Sequence, residues 1–390
     1  MKFLLIYVPN LRFKEFHTEW KKLQIGNLIK ERKEYTSDFE KYPLYSFTLE
    51  SGITPKSERY ERSFLVKKEG DLFKIVHQND FVMNPMNLRF GAINYSKINQ
   101  IVSVSGYYDI FTIDECKYNE FWNAYFKTPR MIYTYNTIAT GSLVEKKRVY
   151  FKQLKELKMY IPNDMEKNKI NEFINLLNER IQTQIKIIDD LVLQKKYIIY
   201  SLLESIQDNE KIMLKDILFD YNVKTAINNE YPVLSSTASG MYLQTEYFNK
   251  EAASDNTTGY KIIPRGYCTY RSMSDTGLFT FNIQNLVEKG IVSPAYPVFS
   301  ANNYINEFII LYLNNASYIK KQILELKSGG TRFALPFSTL CTLKIPKIEK
   351  EKQLSFIKTI TAFERKIKNE EIILNDLHQQ KNYLLNNMFI

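Results

Sequence analysis

One stretch, INEFINLLNERIQTQIKIIDDLVLQKKYIIYSL at residues 170–202, decides how the rest of the chain is read. Ile170, Ile174, Leu177, Ile181, Gln184, Ile188, Leu191, Lys195, Ile198 and Leu202 alternate four- and three-residue steps without a break. A second stretch, FIKTITAFERKIKNEEIILNDLHQQKNYLLNNM at residues 356–388, repeats the pattern 186 residues later. Its seam is Phe356, Ile360, Phe363, Ile367, Glu370, Leu374, Leu377, Lys381, Leu384 and Met388, with polar residues in the same two slots. A 4-3 apolar repeat of this length marks a helix whose narrow seam packs on another helix in a coiled coil. An amphipathic helix lying on a globular core carries a wider stripe. At 1.5 Å per residue each seam runs about 50 Å. Gln184 and Glu370 either meet near a central two-fold axis and fix the register, as polar core residues do in some coiled coils, or sit at a tolerant edge. The pattern leaves both readings open.

Working outward, the helices are the last parts of a larger duplication. KLQIGNLI at residues 22–29 matches KIMLKDIL at 211–218, and YPLYSFT at 42–48 matches YPVLSST at 231–237. QIVSVSGYYDIF at 100–111 answers GIVSPAYPVF at 290–299, and NEFWNAYF at 119–126 answers NEFIILYL at 306–313. The offsets drift only between 184 and 190, so a half of about 190 residues has been duplicated in tandem, far longer than a solenoid repeat. Each half is then a domain plus a helix. The expected divisions are a first domain at 1–160, a central helix at 161–207, a second domain at 208–345 and a C-terminal helix at 346–390. Chain order makes the helices antiparallel and the halves pseudo-two-fold related.

Runs rich in Tyr, Phe, Ile and Val at 71–76, 100–111 and 290–299 read as strands, and 119–126 and 306–326 as helices. The fold class is therefore α+β, with two similar globular domains in tandem and two long helices forming an antiparallel coiled coil. Glycine- and serine-bearing loops recur at 50–52 and 239–240, and again at 140–143 and 328–331.

With 390 residues, 25% charged and 14% aromatic, the chain has the composition of an ordinary folded protein of two or three domains. The opening apolar run is too short for a signal peptide, and no apolar stretch reaches the ~20 residues of a membrane span. Cytoplasm is the default location. Cys116, Cys268 and Cys341 fit neither a disulfide framework nor a ligand spacing. The net charge of +10 concentrates in residues 1–160, which hold 26 Lys and Arg against 18 Asp and Glu; residues 208–345 are near neutral, 13 against 12. Charge alone thus points to a polyanion only at the first domain.

Catalytic patterns are missing. His17, His77 and His378 share no context for a triad or zinc site, and no phosphate loop or dinucleotide fingerprint occurs. Asn84, Pro85 and Met86 are similar to the Asn-Pro-Pro-aromatic loop of amino-methylating enzymes but lack its second proline and aromatic. The sequence reads as a scaffold that binds.

The whole chain resembles the specificity subunits of Type I restriction-modification systems. The residues that carry the resemblance are Val8, Pro9, Asn10, Leu11, Arg12 and Phe13 with Trp20; Gly290, Ile291, Val292, Ser293, Pro294, Ala295 and Tyr296; Gly329, Gly330, Thr331 and Arg332; and the helix entries Ile161 with Pro162 and Ile345 with Pro346. The resemblance implies a non-catalytic subunit whose globular halves are target recognition domains. Each would read one half of a bipartite double-stranded DNA target, with the helices as a ruler for the gap. It implies two modification subunits that bind S-adenosylmethionine and methylate adenine, and restriction subunits that use ATP and Mg. No cofactor is expected in this chain, and target adenines would be flipped into the partner's pocket.

Base reading needs donors and acceptors at base edges. The candidates lie in the recurring loops: Ser46, Thr48, Arg59 and Arg62; Asn84, Asn87 and Arg89; Lys146, Lys147 and Arg148; then Ser235, Ser236 and Thr237; Arg265, Arg271 and Ser274; and Thr331 and Arg332. Phosphate and sugar take most protein–DNA hydrogen bonds, so any one of these is more often a backbone contact or a solvated residue than a base reader. The alternative reading of the whole is a coiled-coil scaffold that holds two protein ligands and no DNA.

Overall fold

The computed structural model describes residues 8–49, 52–55, 72–143, 146–247, 256–326 and 333–390. The chain forms two compact units, unit 1 (Met1–Ile185 with Ile372–Ile390) and unit 2 (Lys186–Glu371). Each is a mixed α and β fold that takes in part of both long helices, α4 (Asp164–Glu204) and α9 (Lys350–Met388).

The two units repeat the same parts in the same order. In unit 1 a four-stranded antiparallel sheet runs β2 (Ile29–Glu31), β10 (Asp109–Ile113), β7 (Phe81–Met83), β8 (Ile93–Tyr95). Unit 2 answers with β13 (Leu218–Asp220), β21 (Val298–Ala301), β17 (Cys268–Tyr270), β19 (Phe281–Ile283). The strand leading to each long helix, β11 (Lys158–Ile161) or β23 (Lys344–Pro346), pairs with the first strand of its unit, β1 (Lys21–Gln24) or β12 (Lys211–Met213). Hairpin β4 (Tyr45–Thr48)–β5 (Gly52–Pro55) matches hairpin β14 (Leu234–Thr237)–β15 (Gly240–Leu243). A sheet of β3 (Tyr35–Thr36), β6 (Phe73–Val76) and β9 (Val102–Val104) matches β16 (Lys261–Pro264) and β20 (Lys289–Val292), where Lys224 supplies only a single bridge to Lys261. Unit 2 also holds the short pair β18 (Met273–Ser274) with β22 (Phe333–Ala334), and a turn of helix, α5 (Gln244–Tyr247).

Helices α1 (Asn119–Phe126), α2 (Pro129–Ile138) and α3 (Phe151–Glu156) correspond to α6 (Asn306–Asn315), α7 (Ser317–Glu325) and α8 (Phe337–Leu340). Residues 306–326, read from sequence as one helix, break at Ala316, whose backbone is extended at φ −68° and ψ 124°. The counterpart in unit 1 shows why a break belongs there. Thr128 caps α2 by accepting from the Met131 amide, and Pro129 occupies the first helical position, a pairing that starts a new helix. The runs at 100–111 and 290–299 are likewise not single strands. Turns at Ser105–Tyr108 and Ser293–Tyr296, each closed by a backbone hydrogen bond, pass the chain from one sheet to another.

The core of unit 1 gathers Trp20, Phe81, Phe111, Phe121, Trp122 and Tyr125 with Ile170 and Ile174 from α4, and Met388 and Phe389 close it. Phe389 lies 5.1 Å from Tyr125 and 5.3 Å from Phe121, ring centre to ring centre. Because early α4 residues meet late α9 residues, and Lys381 further back in α9 donates to Asn178 further on in α4 at 2.5 Å, the helices are antiparallel within this unit. Unit 2 shows the same sense: Ile199 and Leu203 share a core with Phe356 and Ile360, while Lys195 pairs with Glu364 at 3.2 Å. Every seam residue from Ile170 to Leu191 and from Phe356 to Leu377 is buried or half-buried, Gln184 at 8% exposure among them. Heptad spacing predicts such a face, and burying each large aliphatic side chain contributes about 1.5–3 kcal/mol.

Candidate nucleic-acid interface

In unit 2 five of the candidate residues converge. A cleft of about 760 Å³ is lined by Ser235, Ser236, Thr237, Arg271 and Ser274, together with Tyr260 and Tyr296. Hairpin β14–β15 supplies its serines and threonine. Alternation along a strand sends Ser236 inward, where it is buried, and leaves Ser235 and Thr237 half-buried. Gly240 turns the hairpin at φ +129°, and Thr237 Oγ1 donates to its carbonyl at 3.0 Å. Arg271 stands exposed beside the cleft, and Ser274 accepts from the amides of Thr276 and Gly277, which shapes the opposite loop. The combination offers hydroxyls, a guanidinium and aromatic rings on one concave surface, the groups that bind base edges, phosphates and stacked bases.

Asn282 on β19, absent from the sequence reading, fixes this hairpin. Its Nδ2 donates to Ser236 Oγ at 2.8 Å and to the Thr237 carbonyl at 2.9 Å. Unit 1 places Asn94 of β8 behind its own hairpin. A Cβ at Gly52, at the turn of β4–β5 with φ +66°, would lie 2.6 Å from Asn94 Nδ2. Only glycine allows the asparagine so close. The signal was present in sequence, since Asn94 and Asn282 hold matching places in the repeat.

The other candidates are more scattered. Ser46 is half-buried opposite Thr54, and Thr48 is exposed at the hairpin turn. Asn84 caps a short turn, its side chain accepting from the amides of Met86 and Asn87, with Asn87 exposed. Arg89 is buried at 7% exposure, its carbonyl accepting from Asn136 and its guanidinium 5.2 Å over the Phe90 ring, so it presents no surface cation. Hydrogen bonding from Val149 to the Pro85 carbonyl brings this loop beside the segment that follows Lys146, Lys147 and Arg148. Lys146 is exposed and Lys147 half-buried; Arg148 bridges to Thr140 and lies 5.1 Å over the Tyr107 ring. Burial pushes the Tyr107 phenol up, while the Arg148 guanidinium pulls it down. Arg265 lies outside the unit 2 cleft and pairs with Glu288 at 3.3 Å. Arg59, Arg62, Thr331 and Arg332 fall outside the described residues.

Among the described residues no group of His, Cys, Asp and Glu is arranged to hold a metal, and no helix is long and apolar enough to cross a membrane.

No protein-family model matches the chain, and no curated protein sequence does. Solved structures do. The chain is similar to the S subunit of a Type I restriction-modification system from M. genitalium, with a TM-score of 0.50 and 15% identity over 98% of this chain and 99% of that one. It is also similar to a chain from a type I R-M system described for its complex assembly and conformational transition, with a TM-score of 0.57 and 11% identity over 95% and 97% of the two chains. Two globular halves, each joined to part of an antiparallel helix pair, thus give this chain the fold of a Type I restriction-modification S subunit from end to end.

Proposed function

We propose that this chain is the DNA-specificity subunit of a Type I restriction-modification complex. The observation that supports it most is the end-to-end likeness to an S subunit, joined to a polar hairpin that recurs in both globular halves with an asparagine behind it. In this reading each half binds one part of a bipartite duplex target, and the length of the paired helices sets the gap between the parts. Catalysis belongs to other subunits: two modification subunits that methylate adenine with S-adenosylmethionine, and restriction subunits that use ATP and Mg. The chain itself holds no cofactor and works in the cytoplasm. Exposed apolar residues on α4 at four- and three-residue spacing, Leu193, Tyr197 and Tyr200, support docking of such partners on its outer face.

Exchanging residues 1–160 for the matching domain of a related subunit tests this. Methylome sequencing is expected to show one half-site changed and the other kept; both altered, or neither, sinks the two-domain reading. The near neutrality of residues 208–345 favours the rival, a coiled-coil protein scaffold. Salt-dependent duplex binding by the assembled complex separates the two, because phosphate contacts release counterions and a protein scaffold has none to release.

A further inference from the structure

Unit 1 contains a second concave site, beside hairpin β4–β5. A pocket of about 730 Å³ lies between the β8–α1 face and the helix pair of this unit. Its charged lining is Lys97, Lys127 and Lys381 against a single carboxylate, Glu120, with His378; the rest is divided between amide side chains, Asn94, Asn123 and Asn382 among them, and aliphatic ones such as Ile53 and Ile174. Glu120 is already shared, accepting from Tyr95 Oη at 2.7 Å, from Asn178 Nδ2 at 3.0 Å and from Lys97. Lys381 donates to the neutral Asn178 oxygen. The Lys127 ammonium makes neither hydrogen bond nor ion pair among the described residues, and the Asn123 side-chain oxygen is buried without a partner. Burial, with Lys381 and Lys97 nearby, pushes the Lys127 ammonium down to about 8.

The repeat shows that this charge is peculiar to unit 1. At the place of Asn178 the other half has Glu364, which neutralises Lys195, the counterpart of Lys381, in an ion pair of 3.2 Å. At the place of Lys127 stands Asn314, tied to both backbone groups of Phe281, and at the places of Lys97 and Asn123 stand Asn285 and Ile310. One half therefore balances its seam lysine, whereas the other removes the acid and adds two cations. Lys127 and Lys381 are half-buried, and a half-buried cation without a counter-charge costs stability, so a pocket built this way favours an anion. Three cations less one carboxylate match a dianion, the charge of a phosphate monoester; a DNA phosphodiester carries half of that. The volume is that of a small-ligand site, roughly 300–1,000 Å³, and amide side chains provide the paired donor and acceptor that a nucleobase edge requires.

We propose that this pocket binds a phosphate monoester of mononucleotide size, its phosphoryl group among Lys97, Lys127 and Lys381 and its base against the asparagine side chains. The site abuts hairpin β4–β5, with Ile53 and Asn94 in its lining, but does not include Ser46 or Thr48.

Calorimetric titration of the full chain with AMP tests it, with adenosine and inorganic phosphate as partial probes. AMP is expected to bind one per chain and more tightly than either fragment. Lys127→Gln and, separately, Asn178→Glu, which restores the acid of unit 2, are each expected to weaken AMP about tenfold or more, the loss of one charge-assisted contact. Lys127→Gln should melt no lower than the parent. Affinity should also fall between pH 7 and 9 as Lys127 loses its proton. The groups that face it are Glu120, Lys97, Lys381, Tyr95 and His378, and the Lys127→Gln variant isolates its share. No AMP binding at millimolar concentration, or binding indifferent to both substitutions, overturns the proposal. Displacement of AMP by a blunt duplex without terminal phosphates overturns it too, because such a duplex offers only diesters.

Discussion

Arg12 clasps Glu166 through two contacts of 2.7 Å, Nε to Oε1 and Nη2 to Oε2, and the glutamate side chain has no solvent exposure. The pair ties the start of the chain to the first turn of α4, where Asn163 accepts from the Glu166 amide at 2.9 Å. Arg12→Ala leaves a buried carboxylate without its cation, and the expected cost is about 3–5 kcal/mol. A neutral glutamine at this position keeps the side chain's shape and its polar atoms without a charge to bury. Adding Glu166→Gln to Arg12→Ala should therefore recover part of the loss in urea unfolding. A double variant as unstable as the single one would contradict this.

The two hairpin glycines should respond differently to alanine. At Gly52 a positive φ coincides with a 2.6 Å approach to Asn94, whereas at Gly240, φ +129°, the nearest atom is the Tyr242 ring at 4.0 Å. Strain of about 1–3 kcal/mol is expected at both from the backbone. Gly52→Ala must additionally displace Asn94. Thermal melts should rank Gly52→Ala as the more damaging, and equal shifts would show that the Asn94 contact is slack.

Removing Lys146, Lys147 and Arg148 one at a time should weaken duplex binding for all sequences alike. Each side chain that contacts a phosphate contributes about 0.9 to the slope of log affinity against log salt. Plots over a range of salt concentrations read this directly. A change in base preference without a change in slope would instead make the residue a base reader.

Lys127 gives stability a pH dependence with a definite sign. Its ammonium is held down to about 8 in the fold by burial, so between there and the ordinary lysine value of 10.5 the unfolded chain binds more protons. Stability contributed by this group rises with pH across that window, by at most about 1.4 kcal/mol per pH unit, and the penalty is complete below it. Subtracting the pH profile of Lys127→Gln isolates the effect from tyrosines that titrate nearby. A flat difference between pH 8 and 10.5 would refute it.

Inserting one heptad into each long helix, at matching places, adds about 10 Å to the helix pair. Under the proposed function the unspecified gap should then grow by about three base pairs, at 3.4 Å each, as read in the methylome. Methylation retained at an unchanged gap would remove the helices as a measure of distance.

The repeat made much of this fold legible. Local strings such as 22–29 and 211–218 each resolve into a strand, a turn and a strand at matching positions. What escaped was set by tertiary contact. The break at Ala316 has no glycine or proline to announce it, although Pro129 announces the same break in the other half. Arg89 looked like a surface cation because composition cannot show that its loop folds inward. Asn94 and Asn282 matter for what lies behind the hairpins, and strand polarity alone does not reveal a partner. Lys97, Lys127 and Lys381 meet only because α9 returns to unit 1, so no window of sequence contains them together.

That return sets a schedule for synthesis. Met388 and Phe389 complete a core whose other members, Trp20 and Phe121 among them, leave the ribosome long before them. All 186 residues of unit 2, Lys186–Glu371, are made in between, which takes about 10–40 s at 5–20 residues per second. For that interval the first half waits with its aromatic face uncovered. Unit 2, whose residues are contiguous, can finish first. The half that begins the chain is thus the last to be complete, and a nascent chain halted before α9 would expose Trp20 and Phe121 to chaperones.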